Sequence, residues 1–171
     1  DTHLFSDPSR TLLGVNTLTS MRQVLDMATT QSGPFDLVLA TGDLVHDATA
    51  KGYRLFTREM ARLKLPVYCL PGNHDERIAM SRYLGQQGVT WDRLIETAAW
   101  RLLMLDSTIP GEEGGHLDDK ELAFLRESLA ESKKPTLVCM HHHPKPVASE
   151  WLDTMVLDNA EEFFACIEPH S

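Results

Sequence analysis

Four short stretches set metal-ligating and proton-transferring residue types beside apolar runs: DTH at 1–3, TGDLVHD at 41–47, PGNHDE at 71–76 and MHHHP at 140–144. The candidates they offer are Asp1, His3, Asp43, Asn73, His74, Asp75 and one of the triplet His141, His142 and His143. Carboxylate, amide and imidazole donors together suit borderline divalent ions such as manganese, iron and zinc. One carboxylate placed between two ions can bridge them, and two ions roughly 3.5–4 Å apart can clamp a phosphate and activate a water. Taken singly these stretches say little. Asp-x-His arises by chance, and Gly-Asp after a strand is commonly a turn. Gly-Asn-His-Asp is more specific: Gly72 permits a tight turn, Asn73 offers an amide oxygen, and His74 is an acid or base.

The elements that must position these residues alternate in kind. Residues 16–30 carry Leu18, Met21, Leu25 and Ala28 on one helical face, with Asn16 or Thr17 as the cap. FDLVLATGD reads as a short apolar strand ending in Gly-Asp, and residues 48–64 as a helix burying Tyr53, Phe56, Met60 and Leu63. LPVYCLPGNHD, WRLLMLDS and TLVCM supply three more strands. Between the last two, Asp118 stands three residues before Glu121, which predicts a capping box and an amphipathic helix, and residues 158–167 read as a further helix. Short apolar strands alternating with helices predict an α/β fold, in which ligands gather at the carboxyl ends of strands. The four chemical stretches all lie at or beside such ends, so loops distant in sequence can meet.

The 171 residues suit one domain, 1–171, without linker, repeat or low-complexity tract. A net charge of −9 argues against nucleic acid or an anionic membrane as partner, and no apolar run is long enough to span a membrane. Three cysteines, with no CxxC spacing, are an odd count in apolar surroundings; buried reduced thiols and a cytoplasmic location are expected.

As an ordered set, D-x-H, G-D, G-N-H-D and a His-rich strand end resemble the calcineurin-like metallophosphoesterase superfamily, and within it the bacterial class III 3′,5′-cyclic-AMP phosphodiesterases. DTHLF, LLGVNT, ATGDL, LPGNHD, LLMLDS, HHHPKP and SEWLD carry the resemblance, from Asp1 to about Asn159. It implies a layered α-β-β-α sandwich. It also implies two divalent ions, Fe2+ or Mn2+ with Zn2+ as an alternative. Asp1 and His3 would hold one ion, Asp43 would bridge, and Asn73 with a triplet histidine would hold the other. Setting MHHHPKP against the family's H-H-P-P without a gap puts His141 at the ligand position, with His142 as the fallback. His3, Asp43, Asn73, His74 and His141 would then surround the substrate phosphate. His74 would stabilise charge or protonate the leaving oxygen, and Asp75 would orient His74 through a hydrogen bond. The implied reaction is hydrolysis of 3′,5′-cyclic AMP to 5′-AMP by metal-activated hydroxide, on a small-molecule cyclic nucleotide, with a homodimer as one arrangement. The alternatives are another metallophosphoesterase (a glycerophosphodiesterase, a nucleotide pyrophosphatase or a broad phosphodiesterase) and a non-catalytic scaffold of the same fold.

The family's G-H-x-H motif and its first strand are absent from the 171 residues, which predicts an incomplete domain, with both metal sites undercoordinated. His46 and Asp47 either line the pocket or sit on a solvated loop. Asp106 and Ser107 either support the site or merely turn the chain. His116, His170, Glu112 and Glu113 read as surface.

Overall fold

Two strand–helix–strand crossovers organise the first half of the chain. The computed structural model describes residues 1–31, 33–131 and 133–170, and these pack as two compact units, Asp1–Trp91 and Asp92–Ser171. In unit 1 a small hairpin comes first, β1 (Thr11–Leu12) and β2 (Val15–Asn16), paired antiparallel. Its two-residue turn, Leu13-Gly14, has both φ values positive, at 49° and 84°, the turn hand that matches strand twist. Helix α1 (Thr17–Gln31) follows, and Asn16 is its cap, its side-chain oxygen accepting the Thr19 N–H at 2.8 Å.

Strands β3 (Val38–Thr41), β4 (Val67–Leu70) and β5 (Val89–Thr90) form a parallel sheet in that order. Helix α2 (Ala50–Ala61) makes the first crossover and α3 (Arg77–Tyr83) the second. Thr49 caps α2 by accepting the Gly52 N–H at 3.1 Å, and Glu76 caps α3 by accepting from Ile78 and Ala79. The apolar face read for α2 is the face that packs: Tyr53 and Phe56 are wholly buried beside Met60, with Leu63 partly so, against Leu18, Met21, Val67 and Cys69. Glu59 is buried among these, its carboxylate gripped by Arg22 at 2.6 and 2.8 Å and by Arg58 and Arg62. Those guanidinium partners hold its carboxyl at about 2, well below the usual carboxylate range.

Unit 2 holds the second sheet, β6 (Leu94–Glu96), β7 (Arg101–Met104) and β8 (Thr136–Cys139). β6 and β7 pair antiparallel, while β7 and β8 are parallel across helix α4 (Asp119–Glu131). Asp118 caps α4 by accepting the Glu121 N–H at 2.8 Å. The second half of the predicted capping box is replaced by a tertiary link: the Glu121 carboxylate bonds Arg93 at 2.8 Å and the Asp106 N–H at 3.2 Å. Helix α5 (Ala160–Ile167) falls where the tail was read as helical, and Phe163 and Cys166 join Leu103, Leu117, Leu122 and Leu125 in the core. Cys69, Cys139 and Cys166 are buried free thiols, as their apolar surroundings predict. No helix among the described residues is long and apolar enough to cross a membrane. The hairpin, α3, β5 and β6 were not foreseen; each has only two to seven residues, too few to show a period.

Candidate metal centre

In unit 1 the opening residues lie along the loop that leaves β3. His3 N–H donates to the Asp43 carbonyl at 2.9 Å, Leu4 N–H to the Leu44 carbonyl at 3.1 Å, and His46 N–H returns to the Leu4 carbonyl at 2.9 Å. Thr2 adds a side-chain bond to the Leu44 carbonyl at 2.7 Å. This lacing sets the His3 ring against the Asp43 carboxylate, Nε2 to Oδ2 at 3.4 Å, and brings an Asp1 carboxylate oxygen within 4.8 Å of Asp43. His3 and Asp43 both occupy left-handed backbone, with φ of 41° and 51°, a conformation non-glycine residues adopt only when their surroundings impose it.

The GNHD loop after β4 docks directly on Asp43. A Cβ on Gly72 would lie 2.2 Å from Asp43 Oδ1 and 2.3 Å from its backbone nitrogen, so no side chain fits. Gly72 was read as a tight-turn residue; what demands glycine is this close approach. The His74 N–H donates to Asp43 Oδ1 at 3.0 Å, leaving Oδ2 to face His3. The resemblance implies that Asp75 orients His74; the bonds its carboxylate makes in the structure run to other groups. Its Oδ2 accepts from Leu44 N–H and Gly72 N–H, both at 3.0 Å, and its Oδ1 from Val45 N–H at 3.2 Å and Tyr53 O–H at 3.0 Å. The carboxylate therefore staples the β3 and β4 loops to each other and to α2. Burial raises the Asp75 carboxyl above its ordinary value, against these donors, and burial followed by the Asp75 charge pushes the Tyr53 phenol up.

Three imidazoles close the site. His46 stacks on His74 with ring centroids 4.5 Å apart and 26° between planes, and His3 stands edge-on to both, at 5.3 and 5.0 Å. One ring nitrogen from each lies within 4.8 Å of the others. His46 Nδ1 sits 3.3 Å from His3 Nδ1, and the His46 ring is also tilted against Phe5, with centroids 4.8 Å apart. Burial holds His3 below the ordinary histidine value, opposed by Asp43 and aided by His74 and His46; burial and then His74 do the same to His46. Neutral imidazole is the form that binds metals. Of the two sequence readings of His46, a solvated loop does not fit, because its ring packs against His3 and His74; no periodicity could have shown this, since it follows Asp43 on a loop. Asp47 is a loop anchor, accepting from Ser6 N–H at 2.8 Å and Thr49 O–H at 2.9 Å.

The histidine triplet belongs to unit 2, where its members differ. His142 is buried: Ser107 Oγ lies 2.7 Å from its Nδ1, the Glu113 carbonyl 3.2 Å from its Nε2, and its ring presses on Gly115. His143 Nε2 faces Asp153 at 3.3 Å. His141 is half-buried and stands edge-on to His142 at 4.9 Å. Ser107 thus supports the triplet, whereas Asp106 is a turn residue, accepting from Thr108 N–H and O–H. His116 pairs with Asp158 at 2.6 Å on the exposed surface, and His170, Glu112 and Glu113 are exposed.

The donors fit divalent ions. In unit 1 carboxylate oxygens and imidazole nitrogens converge at distances one ion could span, and the N/O set suits iron, manganese or zinc. Comparison with known proteins agrees. The family model for calcineurin-like phosphoesterase matches residues 1–165. The protein named 3′,5′-cyclic adenosine monophosphate phosphodiesterase CpdA from Haemophilus influenzae is 40% identical over 171 residues, 99% of this chain and 62% of its own length. That of Escherichia coli K12 is 39% identical over 164 residues, covering 95% of this chain and 60% of its own length. This chain therefore spans under two thirds of the length of these curated relatives. Among solved structures, TT1561 of Thermus thermophilus shares the fold, with a TM-score of 0.61 at 17% identity, covering 90% of this chain and 72% of that one. Its mixed α/β fold, the motifs that meet at the strand ends of unit 1 and a family match over nearly its whole length place this chain in the calcineurin-like phosphoesterase family.

Proposed function

We propose that this chain carries the metal centre of a cytoplasmic cyclic-nucleotide phosphodiesterase that hydrolyses 3′,5′-cyclic AMP to 5′-AMP. The observation that carries the reaction class is the His3–Asp43 pair, ring nitrogen to carboxylate at 3.4 Å on two left-handed residues, with Asp1 beside it. The substrate class rests on relatives 35–40% identical over 99% of this chain, which are named cyclic-AMP phosphodiesterases.

Asp1 and His3 would hold one divalent ion together with Asp43, and Asn73 is a proposed ligand of a second. Within the triplet His141 is the favoured ligand because both ring nitrogens of His142 face partners inside unit 2. Divalent ions bound there supply Lewis acidity to the phosphoryl oxygens and acidify water to a pKa of about 7. The protein's own groups do the rest. The His74 backbone N–H fixes Asp43, so the carboxylate keeps one oxygen directed at His3. The His74 ring, held against His46 and His3, donates to a non-bridging phosphate oxygen or protonates the departing 3′ oxygen. Asp75, bonded to the backbone of both loops, would position them.

The test is hydrolysis of cyclic AMP, cyclic GMP and bis(p-nitrophenyl) phosphate with Mn2+, alongside His74→Ala. Cyclic AMP is expected to be cleaved fastest, and His74→Ala to lower kcat by about 10²–10⁴ with bound manganese unchanged. Preference for another diester would remove the substrate assignment, and loss of manganese with His74 would overturn its role.

A further inference from the structure

The geometry points to His46 as a positioning residue for the metal centre: its Nδ1 accepts the His3 Nδ1–H and so presents His3 Nε2, with its lone pair, to the ion. This rests on the proposed role of His3 as a ligand.

Two imidazole nitrogens 3.3 Å apart form a hydrogen bond only if one of them carries the proton and the other a lone pair. The other side of the His3 ring decides which. His3 Nε2 faces Asp43 Oδ2 at 3.4 Å and is therefore the atom turned toward the ion position. A ligating nitrogen must be bare, which puts the His3 proton on Nδ1 and leaves His46 Nδ1 as acceptor. His46 then carries its own proton on Nε2. Both tautomers follow from one pair of distances.

The surroundings of His46 suit such a task. Its backbone N–H is tied to the Leu4 carbonyl at 2.9 Å, and its neighbour Asp47 is tied to Ser6 and Thr49. Its ring packs against Phe5, at 4.8 Å, and His74, at 4.5 Å. Phe5 is in turn covered by the Arg10 guanidinium at 4.4 Å. The acceptor nitrogen is thus held by a ring packed against two aromatic neighbours, and His3 receives a preset ring angle in spite of its strained backbone. Because the His46 ring also stacks on His74, one side chain aligns a proposed ligand and a proposed acid.

The experiment uses Zn2+, which is diamagnetic. In the Zn2+-loaded protein, long-range proton–nitrogen correlation spectra of the histidine rings are expected to show His3 protonated at Nδ1 and His46 at Nε2; a His46 protonated at Nδ1 overturns the proposal. Zn2+ affinity is then measured by competition with a chelating dye for His46→Phe, His46→Gln and His3→Ala. Phenylalanine keeps the stacking and removes the acceptor, and it is expected to weaken binding about 10–100-fold. Glutamine offers an amide oxygen and is expected to restore most of that loss. His46→Phe binding with unchanged affinity, while His3→Ala loses it, overturns the role of His46 and leaves the metal-centre reading intact. Unchanged affinity in His3→Ala overturns both. The tautomer spectra are read on the unsubstituted protein, so they decide the question even if a variant fails to fold.

Discussion

Replacing Asp75 with asparagine separates two roles for this residue, stapling loops or orienting His74. The carboxylate accepts four hydrogen bonds, two on each oxygen. An asparagine amide must put its NH2 where one oxygen was. At the Oδ2 position it would confront the N–H groups of Leu44 and Gly72, neither of which can reverse. At the Oδ1 position it meets the Val45 N–H, which cannot reverse, and the Tyr53 hydroxyl, which can turn to accept beside the Glu76 N–H only by giving up the bond it donates. The second orientation is favoured, and it leaves one N–H without an acceptor at Val45, a buried residue. That orphan costs about 1–3 kcal/mol, and the Leu44 and Gly72 bonds each weaken by about 1 kcal/mol once the acceptor is neutral. Relief of the cost of burying the charge, which raises the Asp75 carboxyl, offsets part of this loss. The net expectation is a loss of about 2–4 kcal/mol, read as a lower urea midpoint at constant m. Tyr53→Phe should be coupled to it in a double-mutant cycle, because the hydroxyl also accepts the Glu76 N–H at 2.9 Å. A stability loss below about 1 kcal/mol, with turnover falling sharply, would refute the staple and return Asp75 to the His74 role.

Gly72→Ala drives a methyl group into Asp43 backbone and carboxylate, so stability should fall by about 1–3 kcal/mol and Mn2+ affinity with it; calorimetry that finds full affinity would show the loops parting without harm to the ligands. Glu59→Gln tests the buried Arg22–Arg58–Arg62 cluster. Its carboxyl sits at about 2 when folded against an ordinary 4.5, so its contribution is complete above pH 4.5 and disappears as pH falls toward 2. The variant should be less stable by about 1–3 kcal/mol at pH 7, discounted for the half-exposed guanidinium of Arg22, and the gap in urea midpoints should close on acidification; a gap independent of pH would be inconsistent with the ion pairs as its source. In unit 2, Ser107→Ala leaves the buried His142 Nδ1 without its hydroxyl partner, and a loss of about 1–3 kcal/mol in thermal or urea unfolding is expected.

Which parts of this were legible in the sequence follows from where the information resides. Helices α1, α2 and α4 announce themselves because burying one face imposes a 3.6-residue period, and Tyr53, Phe56 and Met60 occupy that face as read. The metal-ligand stretches are visible because the chemistry restricts residue type. What the sequence conceals is the direction in which a side chain on an irregular loop points. Asp75 adjoins His74 in the chain, and the family resemblance implies a bond between them. The loop instead turns the carboxylate toward Leu44, Val45 and Gly72, about thirty residues away for two of them. His46 shows the converse case, an ordinary loop residue whose ring reaches His3, 43 positions earlier.

Both surprises have one cause. His3 and Asp43 sit on left-handed backbone, which disfavours non-glycine residues by about 1–3 kcal/mol each and needs surrounding contacts to hold it. Asp75 holds the loop on the Asp43 side, through three backbone N–H groups and a tyrosine. The parallel lacing of residues 2–4 to 43–46 holds the His3 side, and His46 then sets the ring angle. A carboxylate whose bonds go mostly to the backbone of loops serves shape before chemistry. In a motif such as Gly-Asn-His-Asp the final carboxylate is therefore better assigned by asking which strained residue lies beside it than by asking which histidine precedes it.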